Sequence, residues 1–193
     1  LSALRARALQ NLRARIGTVH QAPPLPGRQR VVTSVLAGRL GQWPAWKALA
    51  SLAYPMDIAG ARAALARVEL EDKLFARCDQ LSGGQLQRAL FARLMLQDAP
   101  VLLLDEPFSA IDQRTTVDLL QLLRQWHAAG KTVLAVLHDL HQVRDAFPET
   151  LMLAREPVAW GPTDQVLTPA NLQRLRAMPE AFDERAAVCE VPS

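Results

Sequence analysis

The chain has 193 residues, of which 50% are hydrophobic and 21% charged, and its net charge is +3. That composition supports one sizeable core, or one core with a small lobe, and excludes a disordered chain. Its longest apolar runs, near Val101 to Leu104 and Val133 to Leu137, fall far short of the ~20 residues of a membrane-spanning helix, and the arginine-rich start has no apolar block to make it a signal peptide.

The two cysteines, Cys78 and Cys189, lack zinc-ligand spacing and fit a reducing compartment, so a cytoplasmic address is expected. The arginines are scattered along the chain without interleaved aromatics, which disfavours nucleic acid as a partner.

In chain order, Leu1, Leu4, Ala8 and Leu12 lie on one stripe and predict a short amphipathic helix. Ile16 to His20 reads as a strand that ends at Gln21. Pro23, Pro24 and Pro26 impose a loop on 22–27. From Arg30 to Asp79, helix-forming residues are punctuated by Gly38, Gly41, Pro44, Pro55 and Gly60, the pattern of a helical lobe. With the helix that follows, it spans about 30–95 as an insertion in an α/β core. The sequence Trp43-Pro44-Ala45-Trp46 is expected to pack between helices.

Ser82 and Gln85 have capping-box spacing and open a helix whose face runs through Leu86, Ala89, Leu90 and Leu94. Val101 to Leu104 is apolar at every position, which predicts a central parallel strand covered on both faces. A helix from Thr115 to His127, stopped near Gly130, and a strand from Thr132 to Leu137 complete a βαβ unit. A hairpin through Leu151–Ala154 and Val158–Trp160 follows, then a short helix capped by Thr168 with Pro169 in its first turn. One partial domain over 1–178 and a loose tail over 179–193 are expected.

Chemistry in open α/β sheets collects at the carboxyl ends of strands, where Asp105, Glu106 and His138 fall. Adjacent carboxylates after an apolar strand repel each other unless a cation or a proton intervenes, and Mg²⁺ is typically held by one or two carboxylates plus phosphate oxygens. Gly83 and Gly84 open a helix at a cost of roughly 1 kcal/mol each relative to alanine. A capping box accounts for Ser82 and Gln85 but not for the glycines. Backbone amides brought close to an anion would account for them.

Taken together, these motifs resemble the nucleotide-binding subunit of ABC transporters. Leu81-Ser82-Gly83-Gly84-Gln85 resembles the family signature, Val101 to Asp105 the Walker B strand and Glu106 the catalytic glutamate. Ser109-Ala110-Ile111-Asp112 resembles the D-loop, His138 the switch histidine and Gln21 the Q-loop glutamine. The resemblance implies a parallel-sheet core like that of the P-loop NTPases, with ATP and Mg²⁺ as cofactors. Asp105 and Gln21 would hold the metal, Glu106 would orient or deprotonate water, and His138 would sense the γ-phosphate. Ser82, Gly83, Gly84 and Gln85 would close over nucleotide held by a second ATPase subunit, with Asp112 communicating across a head-to-tail dimer. Transmembrane permease subunits are the implied partners, with a solute-binding protein reached indirectly. The implied location is the inner face of the cell membrane.

One motif is missing. The G-x-x-x-x-G-K-[ST] loop that cradles phosphates is absent, because Gly130-Lys131-Thr132 has Gln125 where the first glycine belongs. That tripeptide also ends a helix and begins a strand, the reverse of a P-loop. The motif order places the true loop upstream of residue 1, so a chain truncated at its N-terminus and inactive alone is expected. Val35 to Gly41 and the Trp46 region are similar to ATPase subunits of bacterial phosphonate importers, the favoured type. Phe147-Pro148 through Trp160-Gly161-Pro162 is more similar to zinc or manganese importers. The alternatives are a noncatalytic interaction fragment and a non-transport ABC protein acting on nucleic acid or ribosomes. No coiled-coil insertion or basic cluster in the sequence supports the latter.

Overall fold

A computed structural model describes residues 6–22 and 25–177. The expectations for Leu1, Leu4, Pro23, Pro24, Cys189 and the 179–193 tail lie outside the described residues. The chain divides into two compact units, one ending at His138 and one beginning at Asp139.

In the first unit, α1 (Ala6–Ala14) leads into β1 (Ile16–Val19). The helical lobe follows as α2 (Val31–Leu36), a 3₁₀ turn at Ala37–Arg39, α3 (Ala45–Ala53) and α4 (Ile58–Ala66). Val31, Val32, Val35 and Leu65 are fully buried and form the lobe's core. They meet α5 (Gly83–Gln97), which buries Ala89, Leu90, Phe91, Ala92, Leu94 and Leu96. Gly38 makes this contact close. A Cβ there would lie 2.3 Å from the Arg93 carbonyl oxygen, so the lobe and α5 meet backbone to backbone at that point.

Three parallel strands form the sheet in the order β1, β2 (Val101–Asp105) and β3 (Thr132–Val136). Thr18, Leu103 and Leu134 stand side by side across it. The crossover α6 (Gln113–Ala128) links β2 to β3 as expected, and β2 is central as expected. Its burial is not. Leu102 and Leu104 are buried, but Leu103 is 39% exposed, Leu134 57% and Val136 56%. Among the described residues the sheet therefore has one covered face and one open face. An all-apolar run shows that both faces of a strand tolerate burial, not that both are covered.

The tryptophan expectation also needs correction, since Trp46 is 67% exposed. Trp43 is half-buried and holds the Lys47 ammonium 4.8 Å from its ring centre. The lobe is not wholly helical either. Its two ends meet in an isolated antiparallel bridge between Arg30 and Arg77.

The second unit contains α7 (Leu140–Ala146), the antiparallel pair β4 (Glu149–Leu153) and β5 (Pro157–Pro162), α8 (Thr163–Val166) and α9 (Pro169–Ala177). Met152, Val158, Val166 and Leu167 make its small core. Thr168 accepts the Asn171 N–H at 3.3 Å, the cap expected for α9. Helices α7 and α8 had no sequence signal because each is too short to show a period. Among the described residues no helix is long and apolar enough to cross a membrane.

Candidate functional site

The site is built where β1, β2 and β3 end. Gln21 follows β1 by two residues, Glu106 follows β2 directly, and His138 follows β3 by two. Parallel strands in register deliver these three side chains to one edge of the sheet. There they meet on a single carboxylate. Gln21 Nε2 donates to Glu106 Oε2 at 2.9 Å, and His138 Nε2 lies 2.5 Å from Glu106 Oε1.

Glu106 reaches this position at a cost. Its φ of 43° lies in the left-handed region, and it is one of three non-glycine residues with positive φ among those described. Such a conformation costs about 1–3 kcal/mol and persists only where the surroundings enforce it. Here the Glu106 N–H donates to the Val136 carbonyl at 3.1 Å, tying the turn to the end of β3. The Glu106 carbonyl accepts the Ser109 N–H and hydroxyl, which closes the turn below. The Glu106 side chain is 23% exposed, whereas that of His138 is 74% exposed. The carboxylate is thus fixed in a recess with a more exposed imidazole beside it.

Asp105 makes no hydrogen bond to this cluster. It belongs to the exposed alternation of β2, the face that also carries Leu103. The left-handed turn at Glu106 follows it directly.

The helix α5 starts as the capping box predicts. The Gln85 N–H donates to Ser82 Oγ at 3.2 Å, and the Ser82 N–H donates back to Gln85 Oε1 at 3.0 Å. The glycines behave differently from each other. A Cβ on Gly83 would make ordinary contact with the Ala110 methyl at 3.6 Å, whereas a Cβ on Gly84 would lie 2.4 Å from the Ala110 carbonyl oxygen. Gly84 therefore has a packing reason within this chain. It lets the start of α5 press against the Ser109–Asp112 turn. An anion is not needed to explain it, although Gly83 keeps no such account.

Asp112 caps α6. Its carboxylate accepts the Thr115 N–H at 2.9 Å and the Thr115 hydroxyl at 2.8 Å. These bonds hold its pKa below the ordinary aspartate value. Asp139 likewise caps α7, accepting the His141 N–H at 2.8 Å.

Lys131 is tied into the fold. Its ammonium donates to Asp98 Oδ1 at 2.6 Å and to the Ala99 carbonyl at 3.1 Å. Gly130, at φ 87°, ends α6, and β3 starts at Thr132. The geometry is that of a helix-to-strand connection, as the sequence pattern implies.

One linking residue escaped sequence reasoning. Gln87 is 1% exposed within the apolar surface of α5, and its amide reaches the His20 carbonyl at 3.4 Å. It joins the helix of the Ser82–Gln85 motif to the residue before Gln21. A polar side chain among buried positions was the signal, since such groups are rarely left without partners.

The family model described as ABC transporter matches residues 2–109. The chain is 52% identical over 192 residues to phosphonates import ATP-binding protein PhnC 2 of Pseudomonas aeruginosa (strain UCBPP-PA14), covering 99% of this chain and 72% of that protein. Among solved structures, a metal-chelate type ABC transporter in an inward-facing conformation superposes with a TM-score of 0.70 at 30% identity. That match covers 85% of this chain and 64% of the other. The dimeric ATP-binding cassette MJ0796 in a post-hydrolysis state, bound to ADP and Pi, also gives 0.70, at 26% identity, and covers 83% of this chain and 68% of the other.

Proposed function

Since the chain belongs to the ABC transporter family, we propose that it is part of an ATP-hydrolysing subunit that energises solute import, with a phosphonate as the favoured solute. The observation that carries the reading is the convergence of Gln21 and His138 on the two oxygens of Glu106. A carboxylate so held is oriented to accept a proton from an attacking water. The His138 imidazole, mostly exposed beside it, is free to turn toward a phosphoryl oxygen and to register its loss. The 52% identity to a phosphonate import subunit supports the solute. The zinc or manganese type is the next reading, with the 30% identity to the metal-chelate transporter in its favour.

The residues present fit a Mg²⁺–nucleotide. Asp105 is exposed at the strand end, and Gln21 turns its amide nitrogen to Glu106, which leaves its oxygen as the atom to face a cation. Two oxygen donors suit Mg²⁺, which normally takes one or two protein ligands and completes its shell with phosphate oxygens and water. Bound there, the ion would neutralise charge on the phosphates. On this reading Ser82, Gly83, Gly84 and Gln85 contact nucleotide on a second subunit, and Asp112 lies at the same interface. The dimeric cassette that superposes on this chain supports such a pairing. Permease partners and a peripheral location at the inner membrane face belong to the same proposal.

The test uses the chain extended at its N-terminus by a strand–loop–helix unit carrying G-x-x-x-x-G-K-[ST]. Glu106→Gln keeps the size of the side chain and removes the base, so ATP turnover is expected to fall by about 10²- to 10⁴-fold, while bound ATP holds the protein as a dimer on a sizing column. Turnover at the parent rate would overturn the assignment.

A further inference from the structure

Helix α5 carries two glutamines whose side-chain amides both end on the backbone of the first strand segment. Gln97 Nε2 donates to the Ile16 carbonyl at 2.9 Å, and Gln87 Nε2 to the His20 carbonyl at 3.4 Å. Ten residues of helix cover roughly 15 Å and four residues of strand roughly 13 Å, so the two bonds clasp the helix and the strand at both ends. Between them the packing is close, since a Cβ at Gly17 would stand 2.7 Å from a Leu94 methyl. The two bonds differ in what else holds the chain there. Ile16 is already paired with β2, whereas Val19 is the last residue of that ladder, so strand pairing does not reach His20 and Gln21.

Gln87 occupies a position with no local need of an amide. It is 1% exposed, on a helix that otherwise buries Ala89, Leu90, Phe91, Ala92 and Leu94. An apolar side chain of the same length would fill the space without the penalty of burying a carboxamide. His20 is exposed, and a carbonyl near solvent can take water as its partner. What the bond adds is a fixed point for the chain beyond the ladder. The next residue is Gln21, whose amide donates to Glu106 Oε2 at 2.9 Å.

We propose that Gln87 is a positioning residue for the reaction at Glu106: its amide anchors the end of β1 and thereby holds the Gln21 carboxamide on the Glu106 carboxylate. The inference rests on the reading of Glu106 as the base. A carboxamide displaced by about an ångström loses that bond, and misplacement of this size costs up to about 10²-fold in rate.

Gln87→Met keeps the length of the side chain and removes the donor. In the chain without nucleotide, the nuclear Overhauser contact between the Gln21 amide protons and the Glu106 methylene protons is expected to disappear, while the urea midpoint stays at or above the parent value. Gln87→Glu, which sets an acceptor against the His20 carbonyl, should lose the contact too. Leu90→Ala is the control, with a lower midpoint and the contact kept. In the protein extended at its N-terminus as above, Gln87→Met is expected to lower kcat by about tenfold or more with KM for ATP unchanged. A contact retained in Gln87→Met, or lost equally in Leu90→Ala, would overturn the proposal, as would kcat at the parent value. A fall in the Gln87→Met midpoint as large as that of Leu90→Ala would assign Gln87 to the fold alone and overturn it as well. Because the contact is read without nucleotide, turnover that survives Glu106→Gln would defeat the reading of Glu106 as the base and leave the link from Gln87 to Gln21 intact.

Discussion

Replacing Gly83 and Gly84 by alanine, one at a time, separates two explanations of the same pair. In a helix, alanine is favoured over glycine by about 1 kcal/mol, somewhat less in the first turn. At Gly83 the new methyl meets only the Ala110 methyl at 3.6 Å, so Gly83→Ala is expected to stabilise the chain by up to about 1 kcal/mol. At Gly84 the new methyl would stand 2.4 Å from the Ala110 carbonyl oxygen and 3.4 Å from its carbon. Backbone must then move, and overpacking of this kind costs about 1–3 kcal/mol. Set against the same helix gain, the two variants should differ by about 1–3 kcal/mol, with Gly84→Ala the weaker. Urea unfolding followed by far-ultraviolet circular dichroism reads the difference. With a slope of about 2 kcal/mol per molar, the midpoints should lie about 0.5–1.5 M apart. Coincident midpoints, or a higher one for Gly84→Ala, would refute packing against Ala110 as the reason for that glycine.

Two further outcomes follow from the described contacts. Phe91 is fully buried and stacked on Phe108 with ring centres 6.0 Å apart, so Phe91→Ala should cost about 3–5 kcal/mol in the same unfolding assay; a loss below about 1 kcal/mol would mean the core closes around the gap. Asp112 is acidified in the folded state, chiefly by the Thr115 N–H and then by its hydroxyl. A depressed pKa gives stability that is complete above the unfolded value, near 3.8, and is lost as pH falls through the folded value. Amide protection at Thr115 should therefore drop on acidification through that window and become insensitive to pH in Asp112→Asn. Protection that persists in strong acid would exclude the cap as its source.

The strand-ending residues were legible because short parallel strands with polar ends leave a plain mark. Val101 to Asp105 and Thr132 to Val136 needed no more than their apolar runs and the punctuation around them. What those runs could not convey was coverage. Leu103 reads as covered yet stands exposed, as does Leu134 beside it, because burial depends on the other elements in the neighbourhood and not on the strand. Trp46 failed in the same direction for the same cause. The meeting of Gln21, Glu106 and His138 could be suspected only through family resemblance, since their separations of 85 and 32 residues carry no local signal. The Arg30–Arg77 pairing was hidden more deeply, because a single bridge between two turn segments leaves no alternation to detect.

The backbone at Glu106 has a consequence for the evolution of this position. A glutamate in the left-handed region is a poor choice for the turn alone, since glycine or asparagine would take that conformation at less cost. Any descendant relieved of its chemistry would gain stability by drifting to one of those residues. The turn after β2 thus acts as a gauge of selection. A glutamate kept there, at φ 43°, marks a lineage in which the carboxylate is worth more than the stability it forfeits.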